Sequence, residues 1–570
     1  MEDIRRRSVQ ISNQIVSQGW RTVVILGLAA LTIVLSLALG IQYLLKEDID
    51  CPICQPALND YDAPFVEVDE NQQEKLGLGI TYFILTLCFC VLGSYFLARN
   101  SFTTLPDCII YVFAGIIVGT GLRLTGRADA AGSAFPNQQE FFLFIIPPII
   151  FEAGYSMNKQ SFFEEAIPIF LFAVVGTIIT ALVFGGGIFL VGFFGIGHYF
   201  RFYEALTFGS LISAVDPVAT IAIFNAMKVN KTLHYLVFGE SVLNDAVAIV
   251  LYRSFSEMIG PDKPGWYLPV LTFLYIFIGS TVVGITTSCL AAFILKSTEL
   301  RQNPTLELSF YLLVAFLPYF ICEGLKMSGI MGILIGAMTL GHYGMPNLSE
   351  TGQLSSNQLF KSIAYCGEAF VFIYLGLALT SFNHSWNVIT VLISILLVLI
   401  SRATNIYPLA FIINRYRRRE KISQKTQFIM WFSGLRGAIA FALSLNFPGG
   451  NEETRRVVIS TTLAIILFTI IVLGGGTLSI LQLLRVEGAT AINLSTAASR
   501  VDVDRFEEMD VTDVNESYIP NLTAKNSWMR RLDAAILKPL LTRDLVEPME
   551  DFAEHEQEGA EGEEEEEVPF

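Results

Sequence analysis

The sequence predicts an all-α polytopic membrane protein. Its 570 residues are 53% hydrophobic, with a mean hydropathy of +0.53. Charged residues make up 16% of the chain, against about 25% in ordinary soluble domains. The apolar residues fall in long segments, and a membrane-spanning helix needs about 20 predominantly apolar residues. One membrane domain can therefore account for most of the chain.

Fourteen segments qualify as candidate spans: residues 22–45, 77–97, 105–122, 141–156, 166–194, 205–226, 234–257, 268–295, 305–323, 326–344, 358–381, 386–413, 425–447 and 456–484. Three arginines, Arg5 to Arg7, precede the first segment, and the basic run "RYRRREK" follows the twelfth. Lys and Arg are enriched in cytoplasmic loops. We therefore expect the N-terminus and the region after residue 485 to be cytosolic.

The organisation predicted from these segments has four parts. Residues 1–76 hold the cytosolic N-terminus, a candidate signal anchor and the first luminal or extracellular loop, and residues 77–485 form the transmembrane domain. The first apolar segment is long for a cleaved signal peptide, which favours a retained anchor and leaves cleavage open. In the loop that comes next, Cys51 and Cys54 form "CPIC", either as a disulfide or as unpaired thiols.

The polar tail divides into two stretches. Residues 486–543 include Trp528, Leu532 and Ile536, which are spaced to form one apolar face of a helix. Residues 544–570 contain thirteen Asp and Glu residues and no Lys or Arg. A run of like charges is usually solvated and disordered. We therefore expect a cytosolic tail with an amphipathic helix, followed by a disordered acidic end.

Two apolar segments carry features that interrupt a helix. In "SAVDPVAT", Asp216 precedes Pro217, which lacks an N–H and clashes with the preceding turn. In "WFSGLRGAIAFAL", Gly434 and Gly437 flank Arg436. Unwound backbone at membrane depth is tolerated only inside protein or beside water. One interrupted helix in each half of the chain is typical of inverted-repeat transporters, which build ion sites at such breaks.

A third apolar segment, "VFGESVLNDAVAIVLY", contains Glu240, Ser241, Asn244 and Asp245. A charge at the centre of a membrane helix costs about 2.5–3.5 kcal/mol on the insertion scale. Glu240 and Asn244 are four residues apart, as are Ser241 and Asp245, so the four side chains share one side of a helix. This spacing indicates a polar site inside the bundle.

The remaining intramembrane charges are expected to form structural pairs. Arg402 and Arg436 are the cations within apolar segments, and Glu240 and Glu368 are the acids best placed to neutralise them. Removal of one member of a buried pair leaves the other charge stranded, at about 3–5 kcal/mol. We therefore assign these four residues to structural ion pairs.

This assignment leaves Asp216 and Asp245 as the candidate ion-carrying acids. Burial disfavours the ionised form of a carboxyl group, so such an acid can trade a proton near neutral pH. A hard monovalent cation, which prefers oxygen ligands, can occupy the same carboxylate instead.

Long ordered motifs also carry a family resemblance. "PPIIFEAGYSM", "SAVDPVATIAIF", "VFGESVLNDAVAIVLY", "SGIMGILIGAMTLGHY" and "IMWFSGLRGAIAFALS" resemble the eukaryotic sodium/proton exchanger family over about residues 77–485. The motifs "FNAMKV", "MWFSGLRGAI" and "WMRRLDAAILKPLLTRD" are most similar to its isoform-eight type of Golgi and endosomal membranes. The resemblance implies an inverted-repeat antiporter fold with two crossed unwound helices, and a homodimer in lipid. It implies no cofactor and no nucleic acid, with the plasma membrane as the alternative location.

The resemblance also assigns residues: the carrier Asp245 beside Asn244, the unwound-helix aspartate Asp216, a bridge between Glu240 and Arg402, and Arg436 at the second crossing. Electrogenic bacterial relatives have two adjacent aspartates where this chain has Asn244 and Asp245. Because Asn244 cannot carry a charge, one carboxylate that holds either one proton or one monovalent cation gives electroneutral 1:1 exchange. Asp216 is a second acid that could also titrate.

The leading functional hypothesis is therefore an antiporter that exchanges H⁺ for Na⁺ or K⁺. A cation channel would need a filter, and no "TVGYG"-like stretch is present. An intramembrane aspartyl protease would show "GxGD", which is also absent. A non-transporting scaffold would give the intramembrane acids no use that offsets their insertion cost. The choice between Na⁺ and K⁺, the regulators and the exact compartment stay open.

Overall fold

The computed structural model describes residues 81, 84–95, 107–124, 144–157, 159, 162, 165–216, 224, 231–259, 267–381, 384–417, 421–449, 451–484 and 537–542. Within these ranges the chain is almost entirely helical, and β-pairing is confined to a single isolated bridge. The first predicted segment, Pro217, the pair Cys51 and Cys54, the apolar tail face at 528–536 and the acidic end lie outside the described residues.

Fifteen helices are numbered along the described residues: α1 (Ile84–Tyr95), α2 (Asp107–Leu124), α3 (Ile146–Ser156), α4 (Ala166–Phe193), α5 (Phe202–Ser213), α6 (Lys231–Ser256), α7 (Leu268–Ser297), α8 (Pro304–Gly324), α9 (Gly329–Thr339), α10 (Glu350–Ser381), α11 (Val388–Tyr416), α12 (Gln424–Phe432), α13 (Ala438–Leu445), α14 (Glu452–Leu481) and α15 (Lys538–Leu541). Each predicted segment from 77–97 onward overlaps one of them. Within the described residues, six helices are long and apolar enough to cross a membrane. The all-α prediction is confirmed.

Local sequence signals begin several of these helices. Ser328, Asn387 and Ser423 precede α9, α11 and α12, and each side chain accepts a hydrogen bond from the backbone N–H three residues later. A side chain at this position satisfies one of the N–H groups that a helix start leaves without a partner. Pro304 and Pro269 occupy the first turns of α8 and α7, where the missing N–H costs nothing.

The helices pack in two groups. The first contains α4, α5, α6, α11, α12, α13 and α14, with α5 packed against α4, α6 and α13. The second contains α2, α3, α7, α8, α9 and α10, with α10 packed against α2 and α3. Contacts of α6 with α7 and α9 join the two groups. The first group contains both interrupted segments predicted from the sequence.

Small residues let helix backbones approach closely in both groups. A Cβ atom at Gly115 in α2 would lie 2.2 Å from the carbonyl oxygen of Ile373 in α10. A Cβ at Gly209 in α5 would lie 2.3 Å from the carbonyl oxygen of Ala181 in α4. Helix association in lipid depends on such close packing, because the hydrophobic effect does not drive it.

A short piece of the tail docks against the helical domain. Lys296, at the end of α7, donates hydrogen bonds to the carbonyl oxygens of Pro539 and Leu540. The Nδ2 of Asn347 lies 2.7 Å from the carbonyl oxygen of Leu541. Leu541 and Thr542 are buried in this contact. The segment 537–542 therefore lies at the end of the bundle where α7 ends.

Candidate ion-transport site

Inside the first group, the segment that follows α5 meets the segment that follows α12, and this meeting point is the crossing. Helix α5 ends at Ser213, and the chain is extended through residues 214–216. Residues 433–437 separate α12 from α13. The N–H of Asp216 donates to the carbonyl oxygen of Leu435 at 2.9 Å, which makes an isolated antiparallel bridge. The bridge satisfies backbone groups that the breaks would otherwise leave without partners in an apolar interior.

Each helix that ends at the crossing is capped by an arginine. Arg436 donates from Nη1 to the carbonyl oxygens of Ala214 at 2.9 Å and Ser213 at 3.3 Å, at the end of α5. Arg402 of α11 donates from Nη2 to the carbonyl oxygen of Met430 at 3.1 Å, near the end of α12. The carboxyl end of a helix bears a partial negative charge and unpaired carbonyls. The two guanidinium groups neutralise both ends.

Arg436 corrects an expectation from the sequence. We expected it to pair with a carboxylate, yet in the described part of the chain it forms no ion pair. Its side chain is fully buried and its hydrogen bonds go to backbone carbonyls, while its own N–H donates to Thr469 at 3.1 Å. The physical reason is the helix break itself, which places carbonyl acceptors within reach of the guanidinium. Glu368, the other acid expected in a pair, lies on α10 with a partly exposed side chain.

The structure does bring Glu240 and Arg402 together. Arg402 Nη1 lies 2.5 Å from Oε1 of Glu240, and Nη2 lies 3.2 Å from Oε2. Both side chains are almost fully buried. Gly434 makes room for the pair, since a Cβ there would lie 2.9 Å from Nε of Arg402. This bidentate pair joins α6 to α11 beside the crossing.

The carboxylate of Asp216 lies at the amino end of α13. A Cβ atom on Gly437 would lie 1.8 Å from Oδ2 of Asp216, so the carboxylate rests directly against the Gly437 backbone. Gly437 is the residue that precedes α13, and the amino end of a helix carries a partial positive charge. The carboxylate of Asp216 and the guanidinium of Arg436 thus face helix ends of opposite polarity.

Asp245 faces the same crossing from α6. Its carboxyl group interacts with the main-chain amide of Val215 and with the charges of Asp216 and Arg436. One turn earlier, the hydroxyl of Ser241 donates to the carbonyl oxygen of Val215. Between residues 239 and 252, all of which the structure describes, every residue is buried except Asp245, which is partly exposed. Asp245 is therefore the one residue in this stretch of α6 that keeps partial exposure.

These oxygen atoms suit a hard monovalent cation. Such ions prefer oxygen ligands. The oxygen atoms at this site are those of the Asp245 and Asp216 carboxylates, the Ser241 hydroxyl and the Val215 carbonyl. Among the described residues, no group of three or more His, Cys, Asp or Glu side chains is arranged to hold a metal ion.

Thr177 of α4 also contacts this site, although the sequence does not single it out. Its Oγ1 lies 2.7 Å from Oδ1 of Asn244, and the residue is fully buried. Thr177 directly follows a π-helical turn, Leu171–Gly176, and such turns are frequent at functional sites. The available signal was a hydroxyl inside an otherwise apolar segment, because a polar group at membrane depth needs a partner.

Gly437→Ala is expected to damage the crossing. The added methyl group would overlap Oδ2 of Asp216, so the carboxylate or the bridge must move, at about 1–3 kcal/mol for an overpacked site. We expect lower thermal stability and reduced ion exchange in liposomes. Gly186→Ala is the matched control, because a Cβ at Gly186 in α4 meets nothing within 4 Å. Equal behaviour of the two variants would show that the contact between Gly437 and Asp216 is unimportant.

Known proteins are similar to this chain over most of its length. The family model described as sodium/hydrogen exchanger, transmembrane, matches residues 84–483. Sodium/hydrogen exchanger 8 of Homo sapiens is 39% identical over 503 residues, which cover 84% of this chain and 86% of that protein. Sodium/hydrogen exchanger 5 of Arabidopsis thaliana is 35% identical over 431 residues, covering 73% of this chain and 82% of that protein.

A solved structure shares the fold. The sodium proton antiporter MjNhaP1 from Methanocaldococcus jannaschii, determined at pH 8, matches with a TM-score of 0.57 at 18% sequence identity. The match covers 72% of this chain and 99% of that one. The antiporter fold expected from the sequence motifs is therefore confirmed.

Proposed function

This chain belongs to the sodium/hydrogen exchanger family, and from that membership we propose that it exchanges Na⁺ for H⁺ across a membrane at the carboxylate of Asp245. One observation carries the proposal. Asp245 alone keeps partial exposure in the buried stretch 239–252, and it faces the crossing of the segments that follow α5 and α12. Membrane transporters place ion sites at such breaks.

The exchange follows from competition at this one carboxylate. When Asp245 holds a proton it is neutral, and when it holds Na⁺ the ion and the carboxylate also sum to zero. Asn244 beside it contributes no charge in either form. Both loaded forms therefore carry the same net charge through the membrane, which gives a 1:1 electroneutral cycle.

The neighbouring residues serve this carrier. Asp216 supplies a second carboxylate near the ion, held at the amino end of α13 by its contact with Gly437. Ser241 fixes the carbonyl of Val215 beside Asp245. Glu240 with Arg402, and Arg436 on the carbonyls of α5, keep the crossing rigid. We assign Pro217 and Gly434 to the two breaks that make the crossing possible.

The proposal extends to the second substrate, the cellular role, the location and the assembly of the protein. K⁺ is a second candidate substrate, and the cellular role is control of pH in an organelle or a cell. Similarity to exchanger 8, with the sequence motifs, favours Golgi or endosomal membranes. We propose a homodimer embedded in lipid, organised in the four parts that the sequence predicts. A cytosolic C-terminus is supported by the docking of residues 537–542 on Lys296, near the basic residues predicted to be cytosolic.

The test is flux in liposomes that contain the purified protein and a luminal pH dye. Addition of Na⁺, K⁺ or Li⁺ in turn should produce a pH change for each transported ion. Below the pKa of Asp245, each unit fall in pH should weaken the apparent affinity for Na⁺ about tenfold, or about 1.4 kcal/mol, because protons compete for the carboxylate. A flux without saturation, accompanied by a conductance, would indicate a channel instead.

Electroneutrality has its own test. A membrane potential imposed with valinomycin and a K⁺ gradient should leave the rate of Na⁺-driven exchange unchanged. The K⁺ gradient without valinomycin is the control, since direct K⁺/H⁺ exchange would change the internal pH by itself. In Asn244→Asp, a second acid beside Asp245 couples to it, and the rate should become sensitive to the potential. A wild-type rate that follows the potential would contradict the one-carboxylate cycle and implicate Asp216.

A further inference from the structure

The backbone N–H and the side-chain hydroxyl of Thr177 contact different carbonyl oxygens of the preceding turn. The backbone N–H of Thr177 donates to the carbonyl oxygen of Val174 at the end of the π-helical turn. A regular helix would direct that N–H to Ala173. Here the side-chain hydroxyl of Thr177 contacts the Ala173 carbonyl oxygen instead. The hydroxyl proton is therefore engaged with the backbone of its own helix.

The same hydroxyl oxygen contacts Asn244 on the neighbouring helix. Oγ1 of Thr177 lies 2.7 Å from Oδ1 of the Asn244 carboxamide. A threonine has one hydroxyl proton and two acceptor lone pairs, and a carboxamide has an acceptor end and a donor end. A single proton shared between two carbonyl oxygens forms two weaker hydrogen bonds. Both contacts become full hydrogen bonds when the amide is rotated by 180°, so that Nδ2 and not Oδ1 faces Thr177, and the two orientations have the same outline.

We propose that Thr177 is a positioning residue that accepts a hydrogen bond from Nδ2 of Asn244 and thereby orients this neutral amide beside the carrier Asp245. This inference rests on the proposed role of Asp245. An ionised aspartate at position 244 would offer only acceptors to Thr177, whose proton is already used by Ala173. The buried hydroxyl therefore favours a donor, and hence a neutral side chain, at position 244.

Helix α4 contains a matched comparison for a purely structural role. Thr180 is also buried, and its hydroxyl donates to the carbonyl oxygen of Gly176, four residues earlier, at 2.9 Å. Thr177 makes the equivalent contact to Ala173. The difference between them is the contact of Thr177 with Asn244. Thr177→Val and Thr180→Val each remove one hydroxyl and one hydrogen bond to the helix backbone. Comparison of the two variants therefore isolates the effect of the contact between Thr177 and Asn244.

The experiment measures Na⁺-driven exchange in liposomes for wild type, Thr177→Val, Thr177→Ser and Thr180→Val, over a range of pH. Loss of one buried hydrogen bond predicts about a fivefold increase in the KM for Na⁺ in Thr177→Val, together with a shifted pH profile. Thr177→Ser keeps the hydroxyl and should restore both parameters. Thr180→Val should keep the wild-type KM and pH profile, although its melting temperature should fall about as much as that of Thr177→Val.

The outcomes separate the inference from the function on which it rests. An inactive wild type would overturn the proposed exchange. An active wild type, with Thr177→Val and Thr180→Val alike in KM and pH profile, would overturn the role of Thr177. Thr177→Ala and Thr180→Ala provide a second pair if a valine variant does not fold. If neither hydroxyl-free variant at 177 folds while both at 180 do, Thr177 is structural and the inference is wrong.

Discussion

Asp245→Asn is expected to abolish cation-driven proton exchange while the protein still folds. The carboxamide keeps the shape of the side chain, but it takes neither a proton nor a cation as a charge partner. No other residue between 239 and 252 is exposed to replace it. The measurement is the initial rate of luminal pH change in liposomes after Na⁺ addition, with size-exclusion chromatography and the melting temperature as checks on folding.

Glu257→Gln is the matched control for this change. Glu257 directly follows α6 and is exposed, so the same replacement of a carboxylate by an amide occurs away from the crossing. This control should exchange at the wild-type rate. A Na⁺-dependent signal above that of protein-free liposomes in Asp245→Asn would rule out Asp245 as the carrier, and Asp216 would become the leading candidate.

Disruption of the buried pair between Glu240 and Arg402 is expected to cause the largest loss of stability. Glu240→Gln leaves a guanidinium without its carboxylate, and Arg402→Ala leaves a carboxylate stranded and an end of α12 uncapped. Removal of one partner of a buried pair costs about 3–5 kcal/mol. The melting temperature in detergent should therefore fall strongly for each single variant, and the double variant should lose less than the sum.

A second, more exposed ion pair provides a comparison for this loss of stability. Arg253 and Glu323 lie 2.7 Å apart, but their side chains are 32% and 28% exposed. Solvent screens such a pair, and pairs of this kind contribute about 0–1 kcal/mol. Glu323→Gln should therefore lower the melting temperature much less than Glu240→Gln. Additive losses in the double variant of Glu240 and Arg402 would show that their contact contributes no coupling.

Much of the candidate site was predictable because its signals are local. Glu240, Asn244 and Asp245 stand out in an apolar segment, and their spacing on a helix follows from the helical repeat. Gly434 and Gly437 mark a break in the same way. The pair of Glu240 with Arg402 was expected from charge balance and from the family resemblance, and the structure places the two in contact.

The role of Arg436 was not predictable in this way. Charge balance directed it to a carboxylate, whereas the structure directs it to the carbonyls of Ser213 and Ala214. Pro217 indicates that the carbonyl oxygen of Ser213, four residues earlier, lacks its N–H partner, but the sequence does not show which side chain reaches that oxygen. The packing of α5 against α13 brings Arg436 to it.

The sequence by itself determined that this protein is an all-helical membrane protein with acids inside its apolar segments, and it predicted one helix break beside Asp216 and another beside Arg436. Hydropathy and helical spacing are properties of neighbouring residues, so they can be read without a fold. Only the tertiary structure decided that Asp216 forms a backbone bridge with Leu435 and that Thr177 contacts Asn244. It also decided that Asp245 is the one partly exposed residue between 239 and 252. These contacts join residues far apart in the chain, and a buried polar group takes whichever partner the packing brings within hydrogen-bonding distance.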